Sequence, residues 1–231
     1  MKSKNNINIE RHTKLITLTN PKSPVSEAFR TLRTNIQFAS IDKTLKTIMV
    51  TSTGPGEGKS TTMANLAIVL SQQEKRVLLI DADLRRPTVH HAFRLPNRIG
   101  LTSVLAGTEE LSNAIQNTGI DHLSVLSSGP IPPNPAEILG SKRMAGLIEK
   151  VSAEYDYVLL DAPPVLAVTD AQILSGLIDG VVLVIHSNKT HRDMAIKAKQ
   201  LLENVHANVI GVVMNHRDQK ENGYYYYYYG K

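Results

Sequence analysis

One stretch limits the fold of this chain more than any other. Thr47-Ile-Met-Val-Thr51 has strand character and leads into Thr53-Gly54-Pro55-Gly56-Glu57-Gly58-Lys59-Ser60-Thr61, which opens a helix-patterned segment over 60–73. The loop fits the phosphate-binding pattern G-x-x-x-x-G-K-[ST] except that Thr53 stands at the first glycine. Glycines let backbone N–H groups curl around phosphate oxygens, and the helix N-terminus adds positive field. Lys59 is placed to reach the β- and γ-phosphates, and the Ser60 hydroxyl to ligate Mg²⁺. A glycine-rich turn that merely caps a helix is the bland alternative, and Gly58-Lys59-Ser60 directly after a strand argues against it.

The rest of the chain repeats that alternation. Apolar runs of buried-strand character recur at 76–80, 123–126, 157–160, 180–185 and 209–214, with helix candidates at 135–153 (with a possible break near Gly140), 169–177 and 192–205. Strands with little polar alternation, separated by helices, predict an α/β fold with a doubly wound, mainly parallel sheet flanked by helices. An extra helix precedes the first strand, capped by Ser23, with Pro24 at its first position and an end near Ala39. The expected organisation is an N-terminal arm over 1–20, one domain over 21–215 and a polar, flexible tail over 216–231.

Two further strands end in acids. Val77-Leu78-Leu79-Ile80 leads into Asp81-Ala82-Asp83-Leu84-Arg85-Arg86, and Tyr157-Val158-Leu159-Leu160 leads into Asp161-Ala162-Pro163-Pro164. In a parallel sheet all strand C-termini open on one edge, so Asp81, Asp83 and Asp161 should meet the phosphate loop. Asp161 suits a Mg²⁺ shell, and of Asp81 and Asp83 one can serve the metal while the other accepts a proton from an attacking hydroxyl. An Asp at a strand end can also simply cap the next turn. Arg85 and Arg86 can neutralise phosphate or form surface ion pairs.

Composition excludes several classes. The 231 residues include no cysteine, which removes disulfides, thiolate zinc and cysteine-held iron–sulfur clusters. Met1–Lys14 carries four Lys/Arg and one acid without an apolar stretch, so it does not read as a secretory signal. No apolar run approaches the ~20 residues needed to span a bilayer. A net charge of +5, without aromatics interleaved among the bases, does not point to nucleic acid.

The chain holds eight tyrosines, and six are consecutive: Tyr224, Tyr225, Tyr226, Tyr227, Tyr228 and Tyr229. No helix or strand turns six adjacent side chains to one face. Six phenols at a terminus beside an ATP site suit phosphate acceptance. The nine residues from Asn215 to Tyr224 can extend roughly 30 Å, enough to reach the chain's own site or a neighbour's.

Taken together, the Gly54–Thr61 loop, Asp81-Ala82-Asp83-Leu84-Arg85, Asp161-Ala162-Pro163-Pro164 and the tyrosine cluster resemble the bacterial tyrosine kinases of capsule and exopolysaccharide synthesis. Gly129-Pro-Ile-Pro-Pro-Asn-Pro-Ala-Glu137 is similar to that family's linker into its next helix. The resemblance implies a P-loop NTPase of the deviant-Walker type that uses ATP and Mg²⁺ and autophosphorylates its tail. It implies nucleotide binding by Gly54, Pro55, Gly56, Glu57, Gly58, Lys59, Ser60, Thr61 and Asn215. Catalysis would fall to Lys59, Asp81, Asp83 and Asp161, with Ser60, Asp83 and Asp161 on the metal and Asp81 as base. Asn215 is equally readable as a strand-ending turn residue. The resemblance further implies a ring-forming homo-oligomer through Glu27, Arg30 and Arg33, which otherwise read as a solvated helix face with a local ion pair. A membrane activator of the chain-length-determinant type, a cognate tyrosine phosphatase and a cytoplasmic place at the inner membrane face through the activator complete the expectation. The alternative is a non-kinase deviant-Walker ATPase of the partitioning or positioning type. Those ATPases carry a second lysine where Gly54 stands here, and they lack a tyrosine tail.

Overall fold

The computed structural model describes residues 15–39 and 45–217. Seven strands form one sheet: β1 (Thr47–Ser52), β2 (Val77–Asp81), β3 (Ile115–Asn117), β4 (Leu123–Leu126), β5 (Tyr157–Asp161), β6 (Gly180–His186) and β7 (Val209–Asn215). Their order is β3-β4-β2-β5-β1-β6-β7, parallel throughout except for β3, which pairs antiparallel with β4. The helices are α1 (Ile16–Thr19), α2 (Pro24–Phe38), α3 (Lys59–Ser71), α4 (Val89–Phe93), α5 (Leu101–Ala106), α6 (Leu111–Ala114), α7 (Pro135–Leu139), α8 (Lys142–Glu154), α9 (Asp170–Ser175) and α10 (Arg192–Glu203).

Alternate residues of each central strand feed two cores. Met49, Leu78, Ile80, Val158 and Leu160 point toward α5, α8, α9 and α10, while Ile48, Val50, Val77, Leu79 and Leu159 point toward α3. This explains why the strands read as unbroken apolar runs: both faces are covered. α3 is buried from Thr62 to Ser71, because the sheet lies beneath it and α2 lies over it, with Phe29, Leu32 and Ile36 packed inward. Ser23 caps α2 by accepting the Ser26 N–H at 3.1 Å. Gly140 separates α7 from α8, as its position in the sequence suggested, and the Ser141 hydroxyl restarts the helix by accepting the Met144 N–H.

Two expectations need correction. The proposed arm over 1–20 does not hold for its last residues. Ile16–Thr19 forms a helical turn, and Thr17 is buried with its N–H and hydroxyl both on Asn65 Oδ1 of α3, at 3.0 and 2.9 Å. Residues 1–14 and 218–231, which include Tyr224–Tyr229, lie outside the described residues. The second correction concerns 88–117, where three short helices and β3 escaped sequence reading. None is long enough to display a period.

Candidate active site

The phosphate loop joins β1 to α3 at the centre of the sheet, with β5 and β2 on one side of β1 and β6 and β7 on the other. Gly56 and Gly58 take left-handed backbone angles, φ +78° and +92°. Gly58 is required twice over, because an added Cβ would also strike the Asn215 side chain. Lys59 is the first residue of α3, and its ammonium sits 2.9 Å from Asp83 Oδ2 and 3.3 Å from Asp161 Oδ1. The Ser60 hydroxyl lies 3.2 Å from the same ammonium. The expected convergence of Lys59, Ser60, Asp83 and Asp161 is therefore present.

Asp81 lies beside them, fully buried. Its Oδ2 accepts the N–H groups of Thr88 and Val89, each at 3.0 Å, at the start of α4. Its Oδ1, like Asp161 Oδ2, is buried without a hydrogen-bond partner. Burial, and then the neighbouring Asp161, push the Asp81 carboxyl up to about 8. Burial also raises Asp161, outweighing the attraction of Lys59. For Lys59 burial alone would lower the pKa, but Asp161 and Asp83 overcome it and the net direction is up. One lysine thus holds a cluster of three acids, and the cluster favours either that cation or protons.

The loops around this floor are fixed by cross-strand bonds. The Thr51 hydroxyl donates to Pro163 O at 2.7 Å, and Val165 N–H to Ser52 O at 2.9 Å. Asp83 Oδ1 accepts the Arg86 N–H at 3.0 Å. Arg85 makes a two-point pair with the buried Asp170 of α9, at 2.9 and 3.0 Å. That answers the open question for Arg85, which serves an internal ion pair. Arg86 is exposed.

Glu57 departs from expectation. Its side chain is buried and turns away from the loop's hollow. Oε2 accepts Thr53 N–H at 2.8 Å, and Oε1 bonds the hydroxyls of Thr53 and Thr190. Thr190 precedes α10, so this carboxylate ties the loop to the segment after β6. The brace engages Thr53, the residue that stands where the motif has glycine. Only the Glu57 backbone faces a ligand role, and its carbonyl already accepts the Asn215 side-chain N–H at 3.0 Å. Asn215 in turn accepts His216 N–H at 2.9 Å, so it ends β7 and pins the phosphate loop at once. Neither Thr190 nor Asp170 was singled out by sequence reading, and no local pattern marks them.

The α2 residues lie apart from this cluster. Glu27 and Arg30 pair at 2.7 Å on the exposed side. Arg33 does not share that face: its guanidinium donates to Val69 O in the last turn of α3, at 2.8 Å. The expectation of three residues on one outward face is corrected to two. A cavity of about 520 Å³ opens at the opposite sheet edge beside Arg76, His122 and Tyr155, away from the phosphate loop.

The ParA family model, described as NUBPL iron-transfer P-loop NTPase, matches residues 43–223. Tyrosine-protein kinase YwqD of Bacillus subtilis (strain 168) is 56% identical over 201 residues, covering 87% of this chain and 85% of that protein. The chain belongs to the bacterial tyrosine-protein kinases. This kinase is also similar to the putative tyrosine-protein kinase CapB of Staphylococcus aureus, 38% identical over 91% of this chain and 92% of that one. Among solved structures, the chimerical protein CapA2B2 matches with a TM-score of 0.86 and 43% identity over 89% of this chain and 90% of that chain. The family placement makes the loop a nucleotide-binding element and favours the kinase reading over the partitioning-type alternative. The iron-transfer part of the family description has no cysteine ligands to rest on, since the kinase has none.

Proposed function

We propose that the kinase transfers the γ-phosphoryl group of ATP to tyrosines of its own C-terminal cluster, Tyr224–Tyr229, and thereby regulates capsular or exopolysaccharide synthesis and export. The observation that carries this reading is the buried acid cluster at the mouth of the phosphate loop, in which Asp81 Oδ1 alone among that residue's oxygens is left to take a proton. A phenol of pKa ~10 is protonated at neutral pH and needs such an acceptor, a role Asp81 fills in its ionised form, above its raised pKa or once a bound cation favours the carboxylate. In the transfer, a bond forms between the phenolic oxygen and the γ-phosphorus. The bond from that phosphorus to the β–γ bridging oxygen breaks, its electron pair leaves with ADP, and the phenolic proton passes to Asp81 Oδ1. Lys59 and the loop amides of Gly54–Thr61 are placed to absorb charge on the phosphates.

Ser60, Asp83 and Asp161 offer hard oxygen donors that suit Mg²⁺, and the unpartnered Asp161 Oδ2 points to a further partner. Among the described residues no group of three or more His, Cys, Asp or Glu is arranged to hold a metal by itself. That fits an ion shared with phosphate oxygens and water. When bound, Mg²⁺ neutralises phosphate charge.

The direct test is Asp81→Asn with purified protein. It should retain ADP affinity and lose most phosphotyrosine; tail phosphorylation at the wild-type rate rules out Asp81 as base.

The setting follows as part of the same proposal. No helix among the described residues is long and apolar enough to cross a membrane. In this reading a membrane activator of the chain-length-determinant type holds the kinase at the inner face. Self-assembly into a ring through Glu27 and Arg30 would bring one subunit's tyrosines to a neighbour's site. A Lys59→Met chain mixed with an active chain lacking the tyrosines should then acquire phosphate. Each phosphotyrosine adds about −1.5 to −2 charge, so six add roughly −9 to −12 against a net charge of +5. That repulsion would loosen the ring until a cognate phosphatase removes it, which light scattering before and after phosphatase treatment measures.

A further inference from the structure

β6 and β7 end side by side, with His186 of β6 in register with Asn215 of β7. One residue further on, His216 turns out of the strand in a left-handed backbone conformation, φ +56°, which is uncommon for a residue with a Cβ. Three contacts hold it there. Its imidazole lies flat on that of His186, with ring centroids 4.2 Å apart and planes 8° from parallel. Its N–H donates to Asn215 Oδ1 at 2.9 Å, and its carbonyl accepts the Ser187 hydroxyl at 3.3 Å. His186 is itself fixed: its N–H donates to the Thr190 hydroxyl at 2.9 Å, and its Nδ1 accepts the Asn188 N–H at 3.3 Å. Thr190 bonds the Glu57 carboxylate, and Asn215 donates to the Glu57 carbonyl, so both imidazoles trace back to one residue of the phosphate loop. The phosphoryl transfer itself calls on neither ring.

We infer that His216, stacked on His186, is a positioning residue for delivery of the tyrosine tail: the pair fixes the direction in which the chain leaves β7 and ties that direction to the phosphate loop. This inference rests on tail autophosphorylation and adds to it how the tail is presented. The first tyrosine of the cluster follows His216 by eight residues and so reaches at most about 26–29 Å from it. Asp81 ends β2, four strand spacings from β7, which is about 19 Å at ~4.8 Å per spacing. Reach is therefore sufficient, and direction is what has to be set. A tether that starts at a freely turning residue spreads its far end over every heading its length allows. One whose first residue is fixed confines the far end to fewer headings, which raises the effective concentration of the tyrosines at the site. The same holds for a neighbour's site in a ring, since a ring places neighbours at fixed headings too. Both hydrogen bonds at His216 use its backbone and would form with other residues there. The stack is the contribution that depends on the side chain, and histidine supplies a flat ring together with a backbone more tolerant of the left-handed turn than most.

The experiment uses the full-length kinase with ATP and magnesium and reads phosphotyrosine on two acceptors, the attached tail and a free biotinylated peptide of residues 218–231. His216→Gly keeps access to the left-handed backbone and removes the stack. It should lower phosphorylation of the attached tail about three- to tenfold, while kcat/KM for the free peptide and ADP affinity stay within about twofold of wild type. His186→Ala removes the other ring and should act in the same direction. His216→Phe, which restores a flat face on His186, should recover most of the rate. Attached-tail phosphorylation at the wild-type rate in both His216→Gly and His186→Ala overturns the inference. So does an equal loss on the free peptide in both, which would mean that the pair serves the site and not the tail. Absence of phosphotyrosine from the wild-type tail would instead remove the autophosphorylation reading beneath it, so the two failures are separate.

Discussion

The ends of β1, β2 and β5 and the flank formed by α2 and β7 make opposite use of charge. At the strand ends, Asp81, Asp83 and Asp161 are buried around the ammonium of Lys59, and the ionisation of Lys59, Asp81 and Asp161 is coupled through their mutual charges. On the flank, Glu27 and Arg30 pair in solvent, and Val212 and Met214 of the edge strand are more than half exposed. Buried charges are costly to disturb, whereas an exposed pair contributes little to the chain that carries it. The first region is therefore built to hold a geometry and the second is free to meet another surface.

Lys59→Met should break this contrast most strongly. It removes the one cation from three buried acids, at a cost of about 3–5 kcal/mol. Phosphotransfer should fall by about 10²–10³-fold or more, since a charge that stabilises the transition state goes with it. Denaturant titration and phosphotyrosine formation measure the two effects.

Asp81→Asn tests the electrostatics of the same cluster from the other side. Folding raises the Asp81 pKa from 3.8 to about 8, so between those values the folded protein holds a proton that the unfolded chain releases. That preference stabilises the fold fully below the unfolded value and is lost as pH rises toward 8. Asparagine is neutral throughout, and its side-chain oxygen can still accept the Thr88 and Val89 N–H groups. In metal-free buffer the variant should gain on wild type as pH climbs from about 4 to 8, by a few kcal/mol at the top. A stability difference that stays flat with pH contradicts the raised value.

Glu57→Ala should have an intermediate effect. It frees Thr53 and Thr190 and lets the phosphate loop wander, so ADP affinity should drop about tenfold, equivalent to about 1.4 kcal/mol. Glu57→Gln, which can still bond both threonines, should recover most of it. Equal losses in both variants, measured by titration calorimetry, would mean that charge rather than bracing is what the site uses.

The smallest effect on the isolated chain belongs to Glu27→Ala, about 0.2–0.5 kcal/mol for an i,i+3 pair. Sharpest use of it comes in parallel with sedimentation. A ring that dissociates while chain stability hardly moves places Glu27 at an interface; a ring that persists leaves it a solvated pair.

Much of the fold was legible because its signals are local. The runs at 77–80, 123–126 and 157–160 read as strands since both sheet faces are covered, and Ser23, Pro24 and Gly140 mark helix limits through backbone chemistry of their own. The helices at 89–93, 101–106 and 111–114 and the strand at 115–117 were not legible, because each is too short for periodicity and owes its form to the surface it packs on. The acids at 81, 83 and 161 could be placed together from the rule that parallel strands open on one edge. What each oxygen bonds could not.

By itself, then, the amino-acid sequence determined a strand, a phosphate loop and a helix in that order, two acid-tipped strands, and six adjacent tyrosines that no core can use. Only the tertiary structure decided that Glu57 turns inward to Thr190, 133 positions away, that Arg85 spends its charge on Asp170, 85 positions away, and that Arg33 belongs to α3 instead of the outer face. The reason is physical. A loop's backbone form and a strand's pattern follow from neighbours along the chain, but a hydrogen bond goes to whichever group the packing of strands and helices brings within about 3 Å.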